Sequence, residues 1–403
     1  LKILSNKISQ AFYDFINDSR SVGILLLLCT LISLVLSNIH LAEQYLSLIN
    51  LEIPHAPFGF IHLPHSLIHW INDGLMAIFF FLAGMEIKRE ITSGELSSFS
   101  TAILPIVAAI GGMVIPAAIY FFINKNSLFA HGWGIPMATD IAFSLGIASL
   151  LGKRVPVGLK IFLTALAIID DLGAIVAIAV FYTSTIHWIY LIFAAFVIAG
   201  LYLLMRYKIF GFWNFLLGIS LWYCFFNSGI HATVAGVIFA FCIPMDKLNT
   251  IEHAIHKPVN FLIIPLFALA NTAILLPTDF SVALYSPITW GIIAGLVLGK
   301  PLGIALSVYI SVKLKFGSLP SNTNWLHIIG AGILAGIGFT MSIFIATLAF
   351  KSEEAKDIAK IAVLAGSFLA IILGMGWFRF LCKPGAAELS TGAFYDKIQI
   401  KNS

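Results

Sequence analysis

Apolar residues run along this chain in blocks of about twenty, punctuated by short clusters of glycine, proline and charge. The blocks fall near 22–39, 66–86, 101–123, 134–151, 156–183, 187–206, 209–225, 230–245, 258–276, 288–311, 326–350 and 357–381. A helix of about 20 apolar residues crosses the ~30 Å hydrocarbon layer of a bilayer. The pattern therefore predicts an all-α polytopic membrane protein with twelve transmembrane helices. One transmembrane domain is expected over residues 1–383, followed by a cytoplasmic C-terminal tail over 384–403 whose role the pattern leaves open. Between the first two blocks, the segment near 45–65 is long and almost uncharged. Its strand formers, Leu51-Glu-Ile-Pro and Phe60-Ile-His-Leu63 around a turn through Pro57-Phe-Gly59, predict a short external β-hairpin. The exposed edge of such a hairpin offers a pairing surface to a second copy of the chain.

Composition agrees with the pattern. Of the 403 residues, 60% are hydrophobic and 10% are charged, against roughly 25% charged in soluble proteins, which excludes a water-soluble globule. The 23 Lys and Arg stand against 19 Asp and Glu. With no basic block among them, a nucleic-acid partner is not expected. Cys29, Cys224, Cys242 and Cys382 lie in or beside apolar runs without C-x-x-C spacing, the arrangement of buried free thiols. With the N-terminus placed in the cytoplasm, the basic residues of the inner loops and termini number 18. The outer loops hold only Lys125, Lys351, Lys356 and Lys360. This asymmetry predicts that both termini are cytoplasmic.

A few charges break the apolar runs. They are Asp140, the adjacent pair Asp170 and Asp171, and Lys300; Asp73 and the segment Glu86-Ile-Lys-Arg-Glu90 mark the ends of the second run. An ionisable group at membrane depth costs roughly 2.5 kcal/mol or more, so such residues usually face a partner or a water-filled pathway. Neighbours on a helix point about 100° apart, so Asp170 and Asp171 are expected to face different partners, one a cation and the other a lysine. Carboxylates held close together in a low dielectric can exchange protons near physiological pH. The alternative is an inert ion pair of Asp170 with Lys300, which leaves two carboxylates unexplained. The fourth run carries Gly134, Pro136, Thr139, Asp140, Ser144 and Gly146, and the eleventh carries Gly330, Gly332, Gly336, Gly338, Thr340 and Ser342. Both are expected to be helices interrupted at mid-membrane, where freed backbone groups can coordinate ions.

Five stretches carry a resemblance: Gly84-Met-Glu-Ile-Lys-Arg-Glu90, Ala138-Thr-Asp-Ile-Ala-Phe, Leu163-Thr-Ala-Leu-Ala-Ile-Ile-Asp-Asp-Leu-Gly-Ala174, Ser228-Gly-Ile-His-Ala-Thr-Val-Ala-Gly236 and Gly299-Lys-Pro-Leu-Gly303. The chain resembles the NhaA-type sodium/proton antiporters of bacteria from about residue 12 to residue 383. The resemblance implies an inner-membrane protein with inverted repeats made of spans 3–5 and 10–12, and with broken helices 4 and 11. It implies exchange of cytoplasmic Na+ or Li+ for external H+, without a cofactor. By the same resemblance Asp171 is the principal cation-binding and proton-carrying group, Asp170 is its neighbour salt-bridged to Lys300, and Na+ is held at Asp171, Asp140 and Thr139. A pH-responsive cluster maps to Glu86, Arg89, Glu90, Glu252, His253 and His256, with His231 at a further position linked to pH. A solvated, positive-inside loop is the plainer reading of those charges. The hairpin falls where family members form a homodimer contact.

If two protons enter per Na+ expelled, one net charge moves inward and the membrane potential contributes about 2.3 kcal/mol per 100 mV to sodium export. Three other classes compete with this reading. A sodium-coupled symporter of an organic anion is the nearest. An intramembrane aspartic protease built on Asp140 and Asp171 lacks a Gly-x-Gly-Asp sequence, and Lys300 disturbs a shared proton. A zinc protease requires His-Glu-x-x-His, whereas His253-Ala-Ile-His256 has neither the glutamate nor the spacing. The chain is therefore expected to be a transporter and not an enzyme.

Overall fold

The computed structural model describes residues 21–53, 62–183, 185–276 and 280–382. Every expected apolar run coincides with helix. In chain order the helices are α1 (Ser21–Leu36), α2 (Ala42–Ile49), α3 (Leu67–Ser93), α4 (Phe99–Asn124), α5 (Ile141–Leu150), α6 (Val157–Phe181), α7 (Trp188–Arg206), α8 (Phe212–Ser228), α9 (Thr233–Phe241), α10 (Met245–Asn271), α11 (Phe280–Tyr285), α12 (Pro287–Lys313), α13 (Trp325–Ala335), α14 (Phe339–Ala349) and α15 (Glu353–Phe380). A 3₁₀ segment, Ala130–Met137, leads towards α5. Among the described residues eight helical segments are long and apolar enough to cross a membrane, or nine when α13 and α14 count as one bent span. The chain is a multi-pass membrane protein.

Two boundaries differ from the sequence pattern. The apolar pattern starts the ninth run at 258, yet α10 begins at Met245 because nothing between 245 and 257 breaks a helix; the hydropathy drop there reflects charged and polar side chains. Pro258 does not end it. A proline lacks an N–H and crowds the carbonyl four residues back, in the turn before it, and Pro265 stands just after the wide π turn at Val259–Ile263. The same device precedes Lys300-Pro301, where a π turn occupies Gly295–Gly299 within α12. In the segment expected to form the hairpin, residues 42–49 are helical and a single antiparallel bridge joins Glu52 to Ser66. Residues 54–61 lie outside the described residues.

Small residues set the closest helix contacts, as expected where lipid removes the hydrophobic drive between helices. Where α4 meets α12, Gly111 and Gly303 face each other's backbone, and a Cβ on either would strike the other's carbonyl. Gly236 of α9 lies similarly against the Ala77 carbonyl of α3. By contrast α7 buries only Ala194 and Leu201, leaving Trp188, Ile192, Phe196 and Leu203 on its outer surface. In a bilayer that surface meets acyl chains.

Two apolar clusters enclose a polar centre. One includes Phe143, Phe162, Leu166 and Ile304, and the other Phe80, Ile135, Ile175 and Phe344. Asp170 and Asp171 lie on α6 between Leu166 and Ile175, so the polar centre occupies the layer where the clusters meet.

Candidate functional site

Two chain breaks meet in that layer. After Met137 the chain is extended at Ala138 (ψ 151°), and α5 begins only beyond Asp140. Opposite, α13 ends at Ala335 and α14 starts at Phe339 with a 47° bend. A helix end leaves N–H and C=O groups without helical partners, and here each break supplies the other. Asp140 N donates to the Ile337 carbonyl (2.7 Å), and Ser342 Oγ donates to the Ile135 carbonyl (2.7 Å). Glycines at 336 and 338 leave room at this crossing: a Cβ at Gly338 would strike Ser342 Oγ, and one at Gly336 would strike the Leu296 carbonyl of α12.

Asp140 is the N-cap of α5. Its Oδ1 accepts from Phe143 N (3.1 Å), while Oδ2 accepts from Thr340 N (3.1 Å) and from Thr340 Oγ1. One carboxylate thus sits at the N-terminal ends of both α5 and α14, where helix dipoles favour negative charge. In the sequence Thr340 is one of several small and polar residues of the eleventh run. Its contact with Asp140, 200 positions away in the chain, had no local signal.

Asp170 and Asp171 face different surroundings, as their helical offset requires. Asp170 Oδ2 pairs with Lys300 Nζ, and both side chains are completely buried. Thr139 joins this pair: its hydroxyl accepts from Lys300 Nζ (2.9 Å) and lies 2.7 Å from Asp170 Oδ2 and 2.9 Å from the Ala335 carbonyl. Having one hydrogen, it donates to one of those two acceptors at a time. Asp171 points elsewhere. It is 2% exposed, and its Oδ1 makes no hydrogen bond among the described residues.

Asp171 and Asp140 line a cavity of about 230 Å³ together with Thr340, Glu86, His256 and Asn260. Along the sequence the carboxylates and the candidate pH-responsive cluster are separate groups; the fold puts Glu86 and His256 on the same cavity wall as Asp140 and Asp171. Asn260, from the π turn of α10, donates to His256 Nε2 (3.1 Å). Beside the cavity Arg89 pairs with Glu252 and with Glu90 (3.3 Å). His253 is exposed next to Glu252. Thr139 is not on the cavity wall. His231 is also set apart: its Nε2 meets the Tyr182 carbonyl (2.9 Å), beyond the C-terminal end of α6. Eleven residues of helical rise place Tyr182 ~16 Å from Asp171 along the helix axis.

This arrangement can hold a monovalent cation by hard oxygen ligands and can hold protons on the same oxygens. Comparison with known proteins bears on the same chemistry. A sequence profile of the Na+/H+ antiporter 1 family matches residues 13–378. The chain is 46% identical over 391 residues to the Na(+)/H(+) antiporter NhaA 1 of Clostridium beijerinckii, covering 94% of this chain and 97% of that one. It is 45% identical over 392 residues to the Na(+)/H(+) antiporter NhaA of Cytophaga hutchinsonii (95% and 99% covered). With the Na(+)/H(+) antiporter NhaA 2 of Flavobacterium johnsoniae it shares 48% identity over 377 residues (92% and 91% covered). A match across nearly the whole of each chain, with carboxylates facing a common cavity at the crossing of two chain breaks, means that this chain belongs to the Na+/H+ antiporter 1 family.

Proposed function

We propose that the protein is a secondary antiporter of the bacterial inner membrane that exchanges cytoplasmic Na+ or Li+ for external protons. The observation that carries this reading is Asp171: a buried carboxylate with an oxygen free of hydrogen bonds among the described residues, lining a cavity with Asp140. Such an oxygen is satisfied by a cation or by a proton, and the two exclude each other. Transport follows when the cavity opens alternately to each side. From the cytoplasm Na+ displaces protons from Asp171 and Asp140; from outside, protons displace the ion. Lys300 neutralises Asp170, so the adjacent carboxylates do not repel each other at full charge. Two protons inward per Na+ outward make the cycle electrogenic.

Twelve crossings are supported by the coincidence of each apolar run with helix, α1, α8 and α9 being completed by the turns that flank them. The two breaks that bond to each other support paired broken helices in inverted repeats. The charge asymmetry of the loops supports cytoplasmic termini. Glu86, Arg89, Glu90, Glu252, His253 and His256, gathered at or beside the cavity, are the groups through which pH acts on access. The chain forms a homodimer through the external segment around 45–65.

Purified protein in vesicles carrying a pH gradient and an internal pH-sensitive dye tests the reading. Na+ or Li+ alone should dissipate the gradient, whereas choline should not. A response that requires an added organic solute would replace antiport with sodium-coupled symport.

A further inference from the structure

We infer that Thr340, and not Thr139, supplies the hydroxyl oxygen that ligates the transported cation. The inference rests on the antiport reading for the identity of the cation, and the geometry separates the two threonines. Thr340 lines the cavity with Asp140 and Asp171, while Thr139 is fully buried outside it. A hydroxyl donates one hydrogen and offers two lone pairs. The hydrogen of Thr340 Oγ1 goes to Asp140 Oδ2, and both of its lone pairs stay available to a cation while that bond is kept. No rotation and no loss of the cap on α14 is needed.

Thr139 is occupied in the opposite sense. One of its lone pairs accepts from the Lys300 ammonium at 2.9 Å, and its hydrogen serves Asp170 or the Ala335 carbonyl. A cation on the remaining lone pair would lie against that ammonium without water between them, the least favourable place for positive charge in this centre. Thr139 thus belongs to the Lys300–Asp170 pair, and the cation's oxygens come from Asp171, Asp140 and Thr340. Placement at the second residue of α14 also ties cation binding to the break between α13 and α14. A ligand attached there pulls directly on the bend.

The test compares Thr340→Val, Thr340→Ala, Thr340→Ser and Thr139→Val with wild type in vesicles at alkaline pH, where protons no longer compete with Na+. Calorimetric titration of Na+ and Li+ into detergent-solubilised protein runs in parallel. Thr340→Val and Thr340→Ala should raise the KM and the calorimetric Kd for Na+ roughly five- to tenfold, the scale of one lost polar contact. Thr340→Ser, which keeps the oxygen, should stay within about twofold of wild type. Thr139→Val should leave Na+ affinity within about twofold and lower thermal stability, because Lys300 loses a partner. Alanine at 340 cannot overfill the cavity, so it decides the matter if valine prevents folding. Wild-type affinity in Thr340→Ala, or weakened affinity confined to Thr139→Val, overturns the assignment. Should wild-type vesicles show no Na+-driven proton movement, antiport itself fails, while the calorimetric ranking still decides which threonine holds the ion.

Discussion

Lys300→Ala probes the polar centre most directly. The ammonium and the Asp170 carboxylate are both fully buried, and Lys300 also donates to Thr139. Truncation leaves Asp170 in a low-dielectric layer with the Thr139 hydroxyl as its one hydrogen-bond donor among the described residues and with Asp171 next to it in sequence. Removing one partner of a buried pair typically costs about 3–5 kcal/mol, because the cost is that of the charge left behind. At 1.4 kcal/mol per tenfold, this lowers the folded-to-unfolded ratio more than a hundredfold. The assay is heating of detergent-solubilised protein followed by measurement of the fraction remaining soluble, alongside the pH profile of exchange in vesicles. Stability should fall and the profile should move. In the double variant Lys300→Ala, Asp170→Asn no buried charge is stranded, so part of the lost stability should return. A single variant as stable as wild type with an unchanged profile, or a double variant no more stable than the single, would refute the argument.

Further outcomes follow from the same geometry. Asp171→Asn should abolish exchange while the protein still inserts and purifies as wild type does, since an amide neither carries the proton nor balances the cation; measurable Na+/H+ exchange by this variant removes Asp171 from the mechanism. Competition for shared carboxylates predicts that acidification raises the KM for Na+ and that saturating Na+ restores the rate. Initial rates against Na+ at three pH values test it, and a maximal rate that collapses in acid at every Na+ concentration would instead assign pH control to the cluster at Glu86, Arg89, Glu252, His253 and His256. Deleting residues 50–60 should weaken dimerisation more than transport, because the cavity is built within one chain; light scattering in detergent that still finds dimers would count against the external segment as the contact.

Much of this protein is local information. A run of apolar residues long enough to cross a bilayer must satisfy its own backbone hydrogen bonds, and helix does so without reference to the rest of the chain. Hence every run read from the pattern coincides with helix, even where the boundaries moved, as at Met245. The chemistry of the centre was legible for a similar reason. A charge at membrane depth is costly wherever it packs, so Asp140, Asp170, Asp171 and Lys300 stood out, and the fixed 100° between helical neighbours already required Asp170 and Asp171 to face different partners.

Which oxygens share a cavity was decided by packing. Thr139 directly precedes Asp140 in sequence, yet the extended backbone at Ala138 and the helix start after Asp140 send their side chains to different partners, one to Lys300 and the other to Thr340. Glu86 and His256 reach the cavity because α3 and α10 border it. The approach of α4 to α12 depends on Gly111 and Gly303 fitting backbone to backbone. Each of these brings together residues more than fifty positions apart, as set by the volumes and small-residue surfaces of whole helices. Periodicity within a window of twenty residues carries no record of them, so the sequence by itself determined the helices and the charged groups, and the tertiary structure decided which of those groups meet.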